Sequence, residues 1–244
     1  MKEKSLISTI IIAVAIITTG YLLGTNYKNR SQKPHTVEVT GLSEKNFSSD
    51  LIVWNGSFSK FNKDMKVASN ELKKDVEKVR AFLKELNVPE NEILFSAVQI
   101  NREYETTYDN DGNSKSTFTG YQLTQNVKIE SKNIKLIEKV SRDVSGLIDD
   151  GVEFYSESPM FYYTKLSDLK LQLIEEATKD ARLRADKIAE NSGGSIKRLL
   201  EGDMGVFQIT ARNSNEDYSW GGAFNTTSQE KTASITVHLV FEVR

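Results

Sequence analysis

"EEATKDARLRADKIAENSGG", residues 175–194, is the stretch on which the reading of the chain turns. Alanine recurs there at Ala177, Ala181, Ala185 and Ala189, threaded with Asp180, Arg182, Arg184 and Asp186. Residues four apart share one face of a helix, and the series runs back through Leu173 and Leu169. Alanines on such a face let a neighbouring backbone approach closely, while Leu171, Ile174, Leu183 and Ile188 are expected to widen the apolar stripe. Asp180 with Arg184, and Arg182 with Asp186, are spaced i,i+4 and each pair adds roughly 0.3 kcal/mol at a surface. Gly193 and Gly194 then end the helix with residues that tolerate left-handed geometry. An acid/base pair would need two carboxylates flanking a cleft with perturbed pKa values, and a solvated helix face offers no such place. The ladder is a packing surface.

Outward from this helix, read as Leu166–Asn191, the pattern is that of an α+β chain. Thr36–Gly41 and Asp50–Phe61 read as strands, with Asn55-Gly56 either inside the second or forming a tight hairpin turn. Val67, Leu72, Val76, Val79, Leu83 and Leu86 fall at helical spacing, which predicts one amphipathic helix over Asn62–Asn87, ending before Val88-Pro89. Ile93–Thr107 and Thr117–Glu130 read as a hairpin around "YDNDGNSKS". Asn133–Asp150 returns to helical spacing and Gly151 supplies its stop. Val152–Tyr163 reads as a strand, and Ser195–Ala211 with Lys231–Val243 as a last strand pair around a long polar loop. The order ββ-α-ββ-α-β-α-ββ puts long helices on antiparallel or mixed sheet. Residues 36–244 read as one domain with two lobes, about 36–130 and 131–244.

Composition narrows the functional classes. The 244 residues carry a formal charge of −2, and the first 33 hold five basic residues against Glu3 alone, leaving residues 34–244 at net −6. That argues against nucleic acid as a partner, since such a protein needs a basic footprint to neutralise phosphates. Without cysteine there are no disulfides, thiol nucleophiles or thiolate-held metals. No cofactor motif, Gly-x-Ser-x-Gly elbow or glycine-rich phosphate cradle occurs, so no catalytic, cofactor-binding or metal-ligating residue is assigned and the chain is read as no enzyme, the enzymatic alternative being an Asp/Glu hydrolase, which would need convergent carboxylates in a concave site. "DNDGN", Asp109 to Asn113, resembles a calcium loop, yet Ser114 and Gly120 stand where that loop needs glycine and a carboxylate. Asp149-Asp150, Glu175-Glu176 and His238 read as solvated or packed side chains.

Residues Leu6 to Leu23, "LISTIIIAVAIITTGYLL", form an uncharged run flanked by Lys2, Lys4, Lys28 and Arg30. As a helix it reaches roughly 27 Å, close to the hydrocarbon thickness of a bilayer. Residues 1–25 are therefore read as one N-terminal transmembrane helix, or else as a cleaved signal peptide, with 26–35 as a linker. The first reading makes a single-pass membrane protein, the second a secreted one.

Several segments carry a family resemblance in the right order. "ATKDARLRADKIAENSGG" looks like the Ala/Arg-rich helix of the SIMPL-domain family of bacterial envelope proteins. "VEVTGLSEKNFSSDLIVW" is similar to its opening strands, with Ser49 where the family usually has proline. "LKELNVPENEILFSAVQINREY", "TGYQLTQNVKIESKNIKLIEKV" and the final "EKTASITVHLVFEV" also fit, so the likeness spans nearly all of 36–244. It favours a continuous or bulged strand at Asn55-Gly56. It implies a domain outside the cytoplasmic membrane, homo-oligomers and a link to stress tolerance, and it brings no catalytic positions.

One segment stands out as a contact candidate. "NSNEDYSWGGAFNTTSQ", residues 213–229, sets Tyr218, Trp220 and Phe224 around Gly221-Gly222 in a polar loop. Large aromatics in such a loop either meet a partner, ligand or membrane interface, or fold back into their own domain. "SPMFYYTK", Ser158–Lys165, is expected to be a strand edge docking on the last helix.

Overall fold

The computed structural model describes residues 12–24, 35–108 and 112–244. Among the described residues it is a mixed α+β chain with four α-helices and two sheets. The helices are α1 (residues 12–24), α2 (Met65–Glu85), α3 (Ile134–Asp143) and α4 (Leu166–Asn191). The first strands are β1 (Thr36–Ser48), β2 (Leu51–Asn62), β3 (Ile93–Phe95), β4 (Gln99–Tyr108) and β5 (Ser114–Ser131). After them come β6 (Phe154–Ser156), β7 (Met160–Tyr162), β8 (Ile196–Met204), β9 (Gln208–Ala211), β10 (Ala223–Phe224) and β11 (Glu230–Val243). Two compact units result, to both of which β1, α4 and β11 contribute.

One unit gathers the chain up to Leu42, Glu176–Gly205 and Thr236–Arg244. Here the alanine ladder does what its spacing demands. Ala177, Ala181, Ala185 and Ala189 are all buried, and at Gly41 of β1 a Cβ would lie 2.1 Å from the Ala177 carbonyl oxygen and 2.7 Å from the Ala181 Cβ. Helix and strand therefore touch backbone to backbone. Asp180 ties the same contact, its Oδ2 accepting the Leu42 N–H at 2.9 Å and pairing with Arg184 at 2.9 Å. No ion pair joins Arg182 to Asp186 among the described residues. Leu171, Leu183 and Ile188 do not widen the stripe but are exposed, because a strand backbone received by single alanines needs only one residue per turn. Gly193 takes φ +79° and Gly194 donates to the Ala189 carbonyl at 2.8 Å, closing the helix. On β11, His238 faces outward with its Nδ1 3.3 Å from the Thr40 hydroxyl.

The other unit gathers Ser43–Glu175 and Val206–Ile235. In its six-stranded sheet β5 pairs antiparallel with β2, β3 and β4, and β2 also pairs with β6 and β7. Ile52, Trp54 and Phe58 of β2, with Leu123, Val127 and Ile129 of β5, form one core with Ala68, Leu72, Val79 and Leu83 of α2 and Ile137 and Val140 of α3. This alternation on the strands and 3.6-residue spacing on the helices is the pattern the sequence displays. β2 runs unbroken through Asn55-Gly56, and Gly56 is needed there because a Cβ would lie 2.2 Å from the Phe154 ring. That ring stacks on Trp54 and Phe58 at 5.7 and 6.1 Å.

Several expected boundaries move. α2 starts after Asp64, whose carboxylate accepts the Lys66 and Val67 N–H groups, and this register leaves Val67 exposed and buries Ala68 instead. It ends where Asn87 takes φ +61°. The helix expected over Asn133–Asp150 tightens into a 3-10 turn at Val144–Ile148, where Ser145 and Gly146 are weak helix formers. β1 continues past Gly41 to Ser48. The strand expected over Ile93–Thr107 is interrupted at Ser96, whose N–H and hydroxyl both bond the Asn126 backbone. Val152–Tyr163 splits into β6 and β7 around Pro159, which cannot donate to a ladder, and β7 docks on β2. Ser195–Ala211 splits at Gly205, which donates to the Thr236 carbonyl at 2.9 Å.

Of the long apolar run, Leu6 to Ile11 lies outside the described residues. Residues 12–24 are helical and every one is exposed. Thr18 and Thr19 turn their hydroxyls back to the Val14 and Ala15 carbonyls at 2.7 and 2.8 Å. Among the described residues no helix is long and apolar enough to cross a membrane.

Candidate functional site

The aromatic loop follows β9 and holds its shape through polar contacts. Gln208 is its centre: its side-chain oxygen accepts the Ser219 and Ala223 N–H groups at 3.1 and 2.9 Å, and its amide nitrogen donates to the Ser219 carbonyl at 2.8 Å. Glu216 spans the base, accepting the Ala211 N–H at 2.9 Å and the Asn225 amide at 2.5 Å. Asn225 donates its own N–H to the Ile209 carbonyl at 2.8 Å and accepts the Ser228 N–H at 3.0 Å. Gly222 sits at φ +91° with the Phe207 carbonyl oxygen 2.8 Å from where a Cβ would stand. Only glycine fits that position.

On this frame Trp220 is 101% exposed, and Tyr218 and Phe224 are more than half exposed. The alternative in which the three aromatics fold back into their own domain is therefore not the one adopted. A loop held by its own hydrogen bonds presents these bare rings with part of any ordering cost already met. Between residues 213 and 230 the charges are Glu216, Asp217 and Glu230, with no basic residue. Sequence spacing identified the three rings but not Gln208, Glu216 or Asn225, since a polar residue that pins a loop looks like any other polar residue in one.

Near the foot of the loop lies a buried lysine. Lys231 is 2% exposed and its Nζ donates to the Phe161 carbonyl, while burial pushes its pKa down to about 8. Ser49, where the family pattern has proline, is buried as well: its N–H donates to the Gln229 carbonyl at 2.9 Å, and its hydroxyl has no partner. Asp50 next to it resists the upward pull of its partial burial, because Thr164 donates both hydroxyl and N–H at 2.6 and 2.7 Å and holds the carboxyl below its ordinary range. These groups tie the turn between β1 and β2 to the segments after β7 and before β11, and β11 to β7. None forms a nucleophile–base pair.

Two shallow clefts also lie among the described residues. One, of about 410 Å³, is lined by Ile148, Val152, Phe154 and Tyr155, and its Glu153 carboxylate accepts the Tyr155 hydroxyl at 2.6 Å. The other, of about 370 Å³, lies between Asn91–Leu94 and Lys128 with Glu130. Asp149 and Asp150 close the turn after α3, the Asp150 carbonyl accepting the Lys78 ammonium at 2.6 Å. Among the described residues no group of three or more His, Cys, Asp or Glu is placed to hold a metal ion. Residues 109–111 of the calcium-like segment lie outside the described residues.

This architecture, long helices on antiparallel sheet with an alanine-faced helix seated on a strand glycine, is that of an α+β domain resembling SIMPL proteins. The comparison bears this out: the family model SIMPL, described as a protein of unknown function (DUF541), matches residues 37–241, and the chain belongs to that family. No curated protein matches it.

Proposed function

We propose that the chain is a non-enzymatic, membrane-anchored bacterial envelope protein. Its SIMPL domain lies outside the cytoplasmic membrane, self-assembles, and supports envelope integrity or stress tolerance. The observation that carries this reading is α1, an apolar helix with every residue from 12 to 24 bare. Ile12, Val14, Ile16, Ile17, Leu22 and Leu23 expose more than half of their surface. In water such a helix would leave unburied about 25 cal/mol of hydrophobic stabilisation per Å², so a lipid environment is the natural one. Hydroxyls of Thr18 and Thr19 satisfied by their own helix suit that environment, where no water is available to them. Continued through Leu6, the apolar run reaches the thickness of a bilayer.

The test is flotation of the full chain with neutral phosphatidylcholine vesicles, washed with alkaline carbonate. The chain is expected to float and resist extraction, and Ile16→Lys/Ile17→Lys to release it. Release of the unaltered chain by carbonate would contradict the anchor.

A second reading rests on a separate observation, the bare Trp220 on its pinned loop. There the domain is a binding module that offers Tyr218, Trp220 and Phe224 to a ligand or partner. Trp220→Ala then abolishes binding while leaving both fold and assembly intact, and loss of assembly would count against it.

A further inference from the structure

The β4–β5 ribbon presents an edge that nothing among the described residues covers. β4 pairs with β5 alone, and all ten of its residues are exposed. At about 3.4 Å per residue it offers roughly 34 Å of strand whose outward N–H and C=O groups lack a strand partner. Proteins ordinarily blunt such edges with proline, lysine or a covering segment. "QINREYETTY" contains neither proline nor lysine. The two faces of the ribbon also differ. On one, Tyr104 meets Phe118 edge to face at 5.7 Å and Phe118 meets Tyr121 at 5.1 Å, with Ile100 and Tyr108 on the same side. On the other stand Asn101, Glu103, Glu105 and Thr107.

The charges on β4 say what the edge does not take. In a symmetric antiparallel pairing of β4 with a second copy, opposite residues share a face, so their numbers have the same parity. Registers centred on residues 102, 103 and 105 set Arg102, Glu103 or Glu105 against itself, and the register centred on 104 sets Glu103 against Glu105 twice. Every symmetric register that overlaps more than five residues thus opposes like charges, which destabilises a strand pair. Self-pairing is discouraged while the edge stays open.

We propose that the outer edge of β4 receives an extended peptide strand from another protein by strand addition. The strand places lysine or arginine against Glu103 and Glu105 and apolar side chains over Ile100, Tyr104 and Tyr108. Main-chain hydrogen bonds supply affinity and the alternating side chains supply specificity. This inference stands apart from the membrane anchor and from the 213–229 loop.

The test uses the full chain in nonionic detergent at about 0.15 M salt, where exposed charges are screened beyond about 8 Å. The probe is a fluorescent peptide of about ten residues alternating lysine and valine, followed by anisotropy. A second peptide of the same sequence, methylated on its backbone nitrogens, keeps the charge and cannot add as a strand. The expected result is saturable binding, at least about tenfold weaker for the methylated peptide and for Glu103→Lys/Glu105→Lys, whose melting temperature is unchanged because both side chains are exposed. Equal binding of the two peptides, indifference to the charge reversal, or no saturable binding would overturn the proposal. So would a homodimer dissolved by the same double substitution, which would give the edge to a second copy.

Discussion

Enclosed by the protein and donating to the Phe161 carbonyl, Lys231 holds its proton less tightly in the folded chain, where it titrates at about 8, than at its ordinary value of 10.5. Between those two pH values the unfolded chain binds more protons, so this group makes stability rise with pH across that window. Below it, the buried charge is carried at a cost. Lys231→Met should remove the rise, on the order of 2 to 3 kcal/mol, as read by denaturant unfolding of the two proteins from pH 7 to 11. Parallel curves would contradict the assignment. Ser49 gives the opposite kind of prediction: its hydroxyl is buried without a partner, and removing an unsatisfied group is neutral or favourable. Ser49→Ala should be as stable as the parent or up to about 1 kcal/mol more so, whereas Ser49→Pro, which also removes the N–H bonded to Gln229, should be less stable.

At the scale of elements, the contact of α4 with β1 depends on two absences of side chain, glycine on the strand and alanine on the helix. Gly41→Ala puts a methyl inside van der Waals distance of the Ala177 and Ala181 backbone. Neither element can yield without moving, so a loss of about 3 kcal/mol or more is expected in chemical denaturation. Asp180→Ala tests the same seam from its polar side. It strips the Leu42 N–H of its acceptor and should cost about 1 to 2 kcal/mol, while Arg182→Ala, which ends no ion pair, should change little.

Elements were legible in the sequence to the extent that their own periodicity fixed them. The alanine ladder, the Leu72-Val79-Leu83 stripe and the alternation of β2 and β5 each point to a buried face without outside help. What was not legible depended on a partner distant in sequence. Ser96 leaves its strand for Asn126, Gly205 for Thr236, and β1 runs on past Gly41 because that glycine answers a helix 136 residues later, at Ala177. The width of the α4 stripe is hidden for the same reason: apolar Leu171, Leu183 and Ile188, all exposed, say nothing about how narrow the surface they flank is. At the loop, the rings were visible and their exposure was not. Exposure follows from Gln208 and Glu216, whose hydrogen bonds hold the loop away from the core.

For the whole molecule, family membership and fold define the domain, while anchoring and assembly are what we propose for it. Trp220→Ala should leave the fold untouched, within about 0.5 kcal/mol, because the indole is fully exposed. Any larger consequence of that substitution belongs to contacts between molecules. The most direct measurement is therefore the absolute mass of the full chain in nonionic detergent, by light scattering across a concentration series with detergent mass subtracted, for the parent and for Trp220→Ala. A discrete oligomer in the parent that falls to monomer in the variant is the predicted result. A parent that stays monomeric at every concentration would contradict self-assembly and leave the loop to a ligand, and an oligomer that survives the substitution would move the assembly contact elsewhere on the domain.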